Sequence, residues 1–492
     1  MRLSVFETVL ILTLCATMVL GRDVMATSRY VDINRPAAGS QDGLTWGTAY
    51  QFLAPAISDA EEDDIILIAD GTYYPHHILS GGVPVAGTNR NLTFEWKRRV
   101  TIRGGYRGNL QSGESGDPDD NNPALHVTIV SGNIGDPAVE TDNTTSILTL
   151  EPTGSLLAWT HSQPLFGGTI REGYSEVDQA PAIDPAISET PPANTYPRVH
   201  QCVIEENTQT YSDGYVSGAV CVSGYGGSAS DHALEFRDCN FQNNSTTAEG
   251  GAIFITTVPG YGARVAIVRS TFAGNEAESV NSFGGGAIGI DPILLDVGEE
   301  MHVCVVNSDL RENSTSAAGG AIAVTKFHSG GDLFVTVAGS VLAANTAGTT
   351  GGAIRFDGGT SVVRDCAIAD NVASNSGGGI DAAPSNGSTG PTLDVANSIV
   401  FFNTAPVDPL FVDDGDYRLG ADRPCKDVGS DTLIPADTFD VDDDANRTEP
   451  LPLDIALAAR VRCPAVEWAR TRRGRIALGI SVETAKLDSM TS

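Results

Sequence analysis

The chain has 492 residues, 54 of them glycine, and sets 62 Asp plus Glu against 30 Lys plus Arg for a formal charge of −32. That length exceeds one ordinary compact domain and suits an elongated repeat. Such a charge excludes phosphate backbones and anionic membrane surfaces as partners. It leaves cations, basic proteins and neutral glycans, and it keeps an exported chain in solution.

The first 26 residues have a basic start at Arg2, an apolar stretch from Val9 to Gly21 and a small-residue cleavage pattern at Val24-Met25-Ala26. They are predicted to be a secretory signal peptide. No later stretch reaches the roughly 18 apolar residues of a membrane helix, so no integral membrane span is expected and the mature chain is expected outside the cell or on its surface. Residues 27–64 are predicted to form an N-terminal cap, with a short amphipathic helix from about Thr48 to Ala60, because a stacked repeat needs its first unit covered. A strand from Ile65 to Ala69 follows. "RVTIRGGY" and "HVTIVSGN" read as strands of early coils, with a polar insertion near 107–124 between them. A proline-rich excursion is predicted near 175–197.

A repeat then takes over. "CVIEEN" ends at Asn207, "CNFQNN" at Asn244, "STFAGN" at Asn275, "SDLREN" at Asn313, "SVLAAN" at Asn345, "CAIADN" at Asn371 and "SIVFFN" at Asn403. Glycine pairs follow at Gly250-Gly251, Gly285-Gly286, Gly319-Gly320, Gly351-Gly352 and Gly377-Gly378. The asparagine-to-glycine gap is six residues in four copies and ten in two, counting "SGAV" at 217. Between these marks run short strands that alternate apolar and polar residues, such as "ALEFRDCNF". The pattern predicts a parallel β-solenoid over 65–405, all-β, with like residues stacked about 4.8 Å apart. The seven asparagines are expected to form a hydrogen-bonded ladder at one corner, where asparagine tolerates left-handed backbone. The glycines mark the next corner, where a Cβ would clash. Cys202, Cys239 and Cys366 share a column with Ser270, Ser308, Ser340 and Ser398, which predicts a small buried position rather than a chemical one. One connection varies in length (Thr257–Gly262, Asp291–Glu300, Thr325–Asp332, Asp357–Thr360, Ala382–Thr392), and stacking would gather these loops along one side.

Signals of chemistry are sparse. No CxxC pair exists, so structural zinc is unsupported. His76-His77 are adjacent and would point apart on a strand; Arg269 and Arg364 read as surface ion-pair residues on repeat strands. In the acidic segment 406–456, Asp440, Asp442 and Asp444 have the spacing that opens a calcium loop. Ala445 stands where glycine is wanted and Leu451 where the closing glutamate belongs, so a solvated loop is the first reading and calcium the alternative. No other cofactor is expected, and no catalytic residue is assigned.

The opening "YVDINRPAAGSQDGLTWGTAYQFLAPAISDA…ILIADGTYYP" and the later "DPLFVDDGDYRLGADRPCKDVGSD" resemble exported bacterial right-handed parallel β-helix proteins of the pectin-lyase-like fold. The second segment is similar to their choice-of-anchor Q region. The Gly-Gly-Ala-Ile and Phe-x-x-Asn pair is similar to repeats of chlamydial polymorphic outer membrane proteins. The resemblance implies a right-handed, single-stranded parallel β-helix with a short helical cap, and brings no catalytic residues. Relatives continue past "EPLPLD" with Gly-x-Pro-Arg and a terminal Met-Gly-Ala-Tyr-Glu, whereas here "IALAARVRCPAVEWARTRRGR" turns abruptly basic. Codon degeneracy allows the relatives' ending in another reading frame, so 457–492 is expected to be a non-native or disordered tail after a frameshift near Ala456. Resequencing that locus tests this, and an intact frame there ends it. The implied function is a structural or adhesive β-helix at the cell surface, with glycans or surface proteins as partners. The alternative is a polysaccharide-active lyase or hydrolase.

Overall fold

The computed structural model describes residues 26–405, apart from 36–38, 62, 81–82, 98–99, 111–114, 137, 151–163, 176–179, 185–197, 211–217, 224–233, 258–262, 280–283, 293–294, 327–329 and 385–389. The signal segment before Ala26, the acidic segment 406–456 with Asp440, Asp442 and Asp444, and the tail 457–492 lie outside the described residues.

The chain winds through four stacks of parallel strands in a fixed order. Among the described residues face 1 has 11 strands, face 2 has 10, the short face 3 has seven and face 4 has nine. One coil shows the scheme: Leu234–Arg237 on face 1, Asn240–Gln242 on face 2, Ser245–Thr246 on face 3 and Ile253–Thr256 on face 4. Each strand pairs in parallel with its counterpart a coil later, as Asn240, Phe241 and Gln242 do with Thr271, Phe272 and Ala273. This is the parallel β-helix the repeat predicts, with the right-handed winding that strand twist imposes on such connections.

Alternation fixes what fills the column. On face 1 Phe236, Ile267, Val305, Val337 and Val363 point inward, on face 2 Phe241, Phe272, Leu310, Leu342 and Ile368, and all are buried in one continuous core. Phe241 and Phe272 stack with ring centroids 4.6 Å apart. The short face contributes small buried residues, Thr246, Ala277, Thr315, Ala347 and Ala373.

At the N-terminal end, helix Leu53–Asp59 turns Leu53, Ala56 and Ile57 onto that core. It is shorter than the sequence suggests. Tyr50 is drawn beside the strand Ser28–Val31, donating its N–H to Tyr30 O (2.8 Å) and accepting from Asp32 N–H (2.8 Å), so this backbone cannot also enter a helix. Ser28–Val31 is itself the first strand of face 1. Two other early readings shift. "RVTIRGGY" and "HVTIVSGN" supply Thr101–Tyr106 on face 1 and Thr128–Ser131 on face 2, which are successive sides of one coil. Within 175–197, Ile183–Asp184 is a regular face 4 strand, paired with Leu148 and Thr149.

The corner between faces 2 and 3 carries the asparagines, and all seven stand in file. From Asn207 to Asn371 each asparagine donates its N–H (2.9–3.2 Å) and its Nδ2–H (2.8–3.0 Å) to Oδ1 of the next, ending on Asn403. In all seven Nδ2 also donates backward to a face 2 carbonyl, as Asn313 does to Phe272 O at 3.1 Å. Both donors and both acceptor directions of the side-chain amide are therefore used. The ladder begins a coil earlier than its first asparagine, because Gly173 N–H donates to Asn207 Oδ1 (3.0 Å). One expectation fails. The left-handed residue is the one before each asparagine: Glu206, Asn243, Gly274, Glu312, Ala344, Asp370 and Phe402, with φ between 53° and 64°. The asparagine is required for its amide, not for its tolerance of bent backbone.

The glycine pair answers two different constraints. The first member has positive φ, from 63° at Gly377 to 75° at Gly319. The second, as at Gly320, lies against the Gly352 carbonyl and the Thr346 backbone of the next coil, leaving no room for a Cβ. A serine and cysteine column makes a second ladder between faces 1 and 2: Ser270 N–H donates to Ser308 Oγ (3.2 Å) and Ser308 N–H to Ser340 Oγ (3.1 Å). Cys202, Cys239 and Cys366 sit in it as buried thiols. Asn313→Ala should cost about 3 kcal/mol or more, since it strands the Asn275 donors and the Phe272 carbonyl in the interior. Gly320→Ala should cost about 2–3 kcal/mol by overpacking. Urea denaturation of each variant measures both, and losses below about 1 kcal/mol would refute this account.

Candidate functional site

The inside of the column is filled, so chemistry must lie on its outer faces and loops. Face 1 presents the densest charge. Arg198 and His200 on one strand and Glu235 and Arg237 on the next point outward in adjacent positions, fixed by the pairing of Arg198 with Glu235 and His200 with Arg237. Glu235 takes contacts from Arg198 Nε (3.4 Å), His200 Nε2 (3.3 Å) and Arg237 Nε (2.5 Å). Burial alone would raise its carboxyl. The His200 hydrogen bond and the positive charges around it overcome that and hold it at about 2. A group so held is ionised at neutral pH, so it serves as a fixed anion and not as a proton donor.

At the neighbouring corner Arg269 binds Asp238 through two hydrogen bonds, 2.8 and 2.7 Å. Arg269 has φ 50° and lies just past the strand Ala263–Val268, not within it. Arg364 ends the strand Thr360–Arg364 and pairs with Asp394. Both are ion-pair residues. Between these charged regions Ala266, Val268, Cys304, Val306 and Ala338 form a second buried apolar cluster on the outer side of face 1. His76 and His77 diverge. His76 Nδ1 accepts from Asn89 N–H (2.9 Å), while His77 stacks on Phe52 at 4.8 Å and burial pushes it down to about 4.

The corner that leads into face 4 holds an acid perturbed in the opposite direction from Glu235. Glu249 is half-buried just before Gly250, and burial together with the Asp291 charge pushes its carboxyl up to about 8. A buried carboxyl with a raised pKa is one arrangement that acid–base chemistry uses. Sequence reading missed both Glu235 and Glu249, because each is defined by residues about one coil away. Among the described residues, no group of three His, Cys, Asp or Glu could hold a metal ion. The seven ladder asparagines and ten corner glycines come together as structure. The varying connections all join face 4 to face 1, and so emerge at one corner.

The fold and its outer faces define a parallel β-helix with a register-locked column and one variable side. Residues 238–256 match the Chlamydia polymorphic membrane protein repeat. That stretch runs from the Asp238 corner through Asn244 and the glycine pair to the end of the face 4 strand. Comparison with the curated proteins gives no match. Among solved structures, one titled "Rhamnogalacturonan lyase" is similar with 12% identity and a TM-score of 0.34, covering 76% of this chain and 87% of that one. At that score the likeness says nothing about substrate.

The two acids predict opposite pH behaviour. Glu235, depressed from 4.5, contributes stability that is present above pH 4.5 and lost as pH falls toward 2. Glu235→Gln should cost about 3 kcal/mol at neutral pH, with the gap closing in acid. Glu249, raised from 4.5, contributes stability below pH 4.5 that is lost as pH rises through 8. Glu249→Gln should therefore melt above the parent at pH 9 and level with it near pH 4.5. Thermal melts across that range check both, and parallel curves for parent and variants would refute the assignments.

Proposed function

We propose that this chain is an exported cell-surface or extracellular β-helix with a structural and adhesive role, displaying its face 4-to-face 1 loops to glycans or to proteins on another surface. The observation that carries the reading is the contrast along one column: corners held to single residues, loops free to differ in length and composition on one side. Conserved corner geometry with variable loops is how a rigid scaffold presents binding segments. The Chlamydia polymorphic membrane protein repeat at 238–256 supports a surface location. The net charge of −32 favours neutral or basic ligands. No described helix is long and apolar enough to cross a membrane, which leaves the mode of attachment open.

A second reading, a polysaccharide-active lyase or hydrolase, is supported by Glu249 beside Asp291. A raised carboxyl holds the proton that a leaving oxygen needs.

One preparation separates the two readings. Labelled mature protein is tested on a glycan array and on intact cells, with a variant whose Asp291–Glu300 loop is cut to the length of Asp357–Thr360. Binding should fall at least about tenfold at unchanged melting temperature. Binding that survives shortening of every loop would end the adhesive reading. New reducing ends or unsaturated products from a polysaccharide panel, abolished by Glu249→Gln, would establish the enzymatic one.

A further inference from the structure

Among the described residues, the column is covered at one end and uncovered at the other. At the start, the helix Leu53–Asp59 packs onto the core. At the far end, Thr392–Ala396 on face 1 and Ile399–Phe401 on face 2 are the last strands, each paired on one side only. Their inward positions are wet. Val395 follows Val363 in its column yet is 41% exposed, where Val363 is 0% exposed. Leu393 and Val400 pack on the core but remain only half-buried. Their backbone is also unsaturated. Thr392 and Ile399 donate back to Gly359 O and Cys366 O at 2.8 Å, so strand alternation aims the N–H groups of Leu393, Val395 and Val400 at whatever lies beyond. Such an edge, apolar and ready to pair, does not persist bare in solution.

The chain has already begun another turn where the described residues stop. Thr404 N–H donates to Asn371 O (2.8 Å) and Thr404 O accepts from Ala373 N–H (2.8 Å), which sets it on the short face over Val372. Successive ladder asparagines are 26 to 38 residues apart. Residues 406–456 number 51 by position (456 minus 405), enough for one further coil and a closing segment.

We propose that residues 406–456 dock on this open end, pairing with Leu393, Val395 and Val400 and covering the last core residues, so that the acidic segment is the C-terminal cap of the column. The occupant is the same chain, not a second copy, because the backbone is delivered in register to the edge it would fill. The inference is independent of the adhesive reading, since it concerns the closure of the column and not what its loops bind.

Amide hydrogen exchange on the full mature chain tests it, with mass measured by light scattering at two concentrations. In the monomer, the amides of Leu393, Val395 and Val400 should exchange at least about a hundredfold more slowly than unprotected amides. A chain ending at Ala405 should lose that protection or associate end to end. Fast exchange at these three amides in the full chain would overturn the proposal. Protection present only in a dimer would overturn it as well, by making the occupant a second copy. The full-chain measurement decides even if the shortened chain fails to fold.

Discussion

The structure depends on a single repeated hydrogen-bond geometry, in which a buried side-chain amide receives two N–H groups from the coil before it. A buried amide left unpaired costs about 1–3 kcal/mol, and here every one of its directions is used. The asparagine can satisfy this only if consecutive coils stand directly over each other. Register on all four faces follows from that requirement, and with it the continuous core, since a slip of one residue would turn the inward column outward.

Two corners share the work of turning the chain. At the asparagine corner, the left-handed residue is Glu, Asn, Gly, Ala, Asp or Phe, depending on the coil. The strain of such backbone is modest, of order 1–2 kcal/mol, and the ladder that follows offsets it. At the glycine corner no such freedom exists, because a Cβ on the second glycine would meet the next coil's backbone. Tolerance at one corner and strictness at the other hold the cross-section on that side, apart from four extra residues between asparagine and glycine in two copies. The opposite side, between faces 4 and 1, has no comparable constraint, so length accumulates there. The adhesive reading rests on that asymmetry.

How much of this is legible in the sequence follows from the same physics. In-register stacking sets each coil the same problem, so the solution recurs in the letters: asparagine, then the glycine pair, then Ala-Ile. What recurs only in the backbone leaves no such trace. The left-handed corner has no residue signature. The earliest ladder position is filled by Gly173, whose N–H suffices to start the file. Tyr50 looks helical by neighbourhood, yet its backbone pairs with Tyr30. The Glu235 network joins residues from two strands whose adjacency is apparent only once the coil length there, 37 residues from Asn207 to Asn244, is known. Glu249 depends in the same way on Asp291, about one coil later.

The orientation of the ladder has a mechanical meaning. Its hydrogen bonds all run along the axis of the column, so a pull applied to one end does not share tension among them. Each coil is held to its neighbour by its own set of bonds, and every set carries the full load. A column of this kind parts first at its weakest set, while a sideways tug, spread over many strands at once, meets their combined resistance.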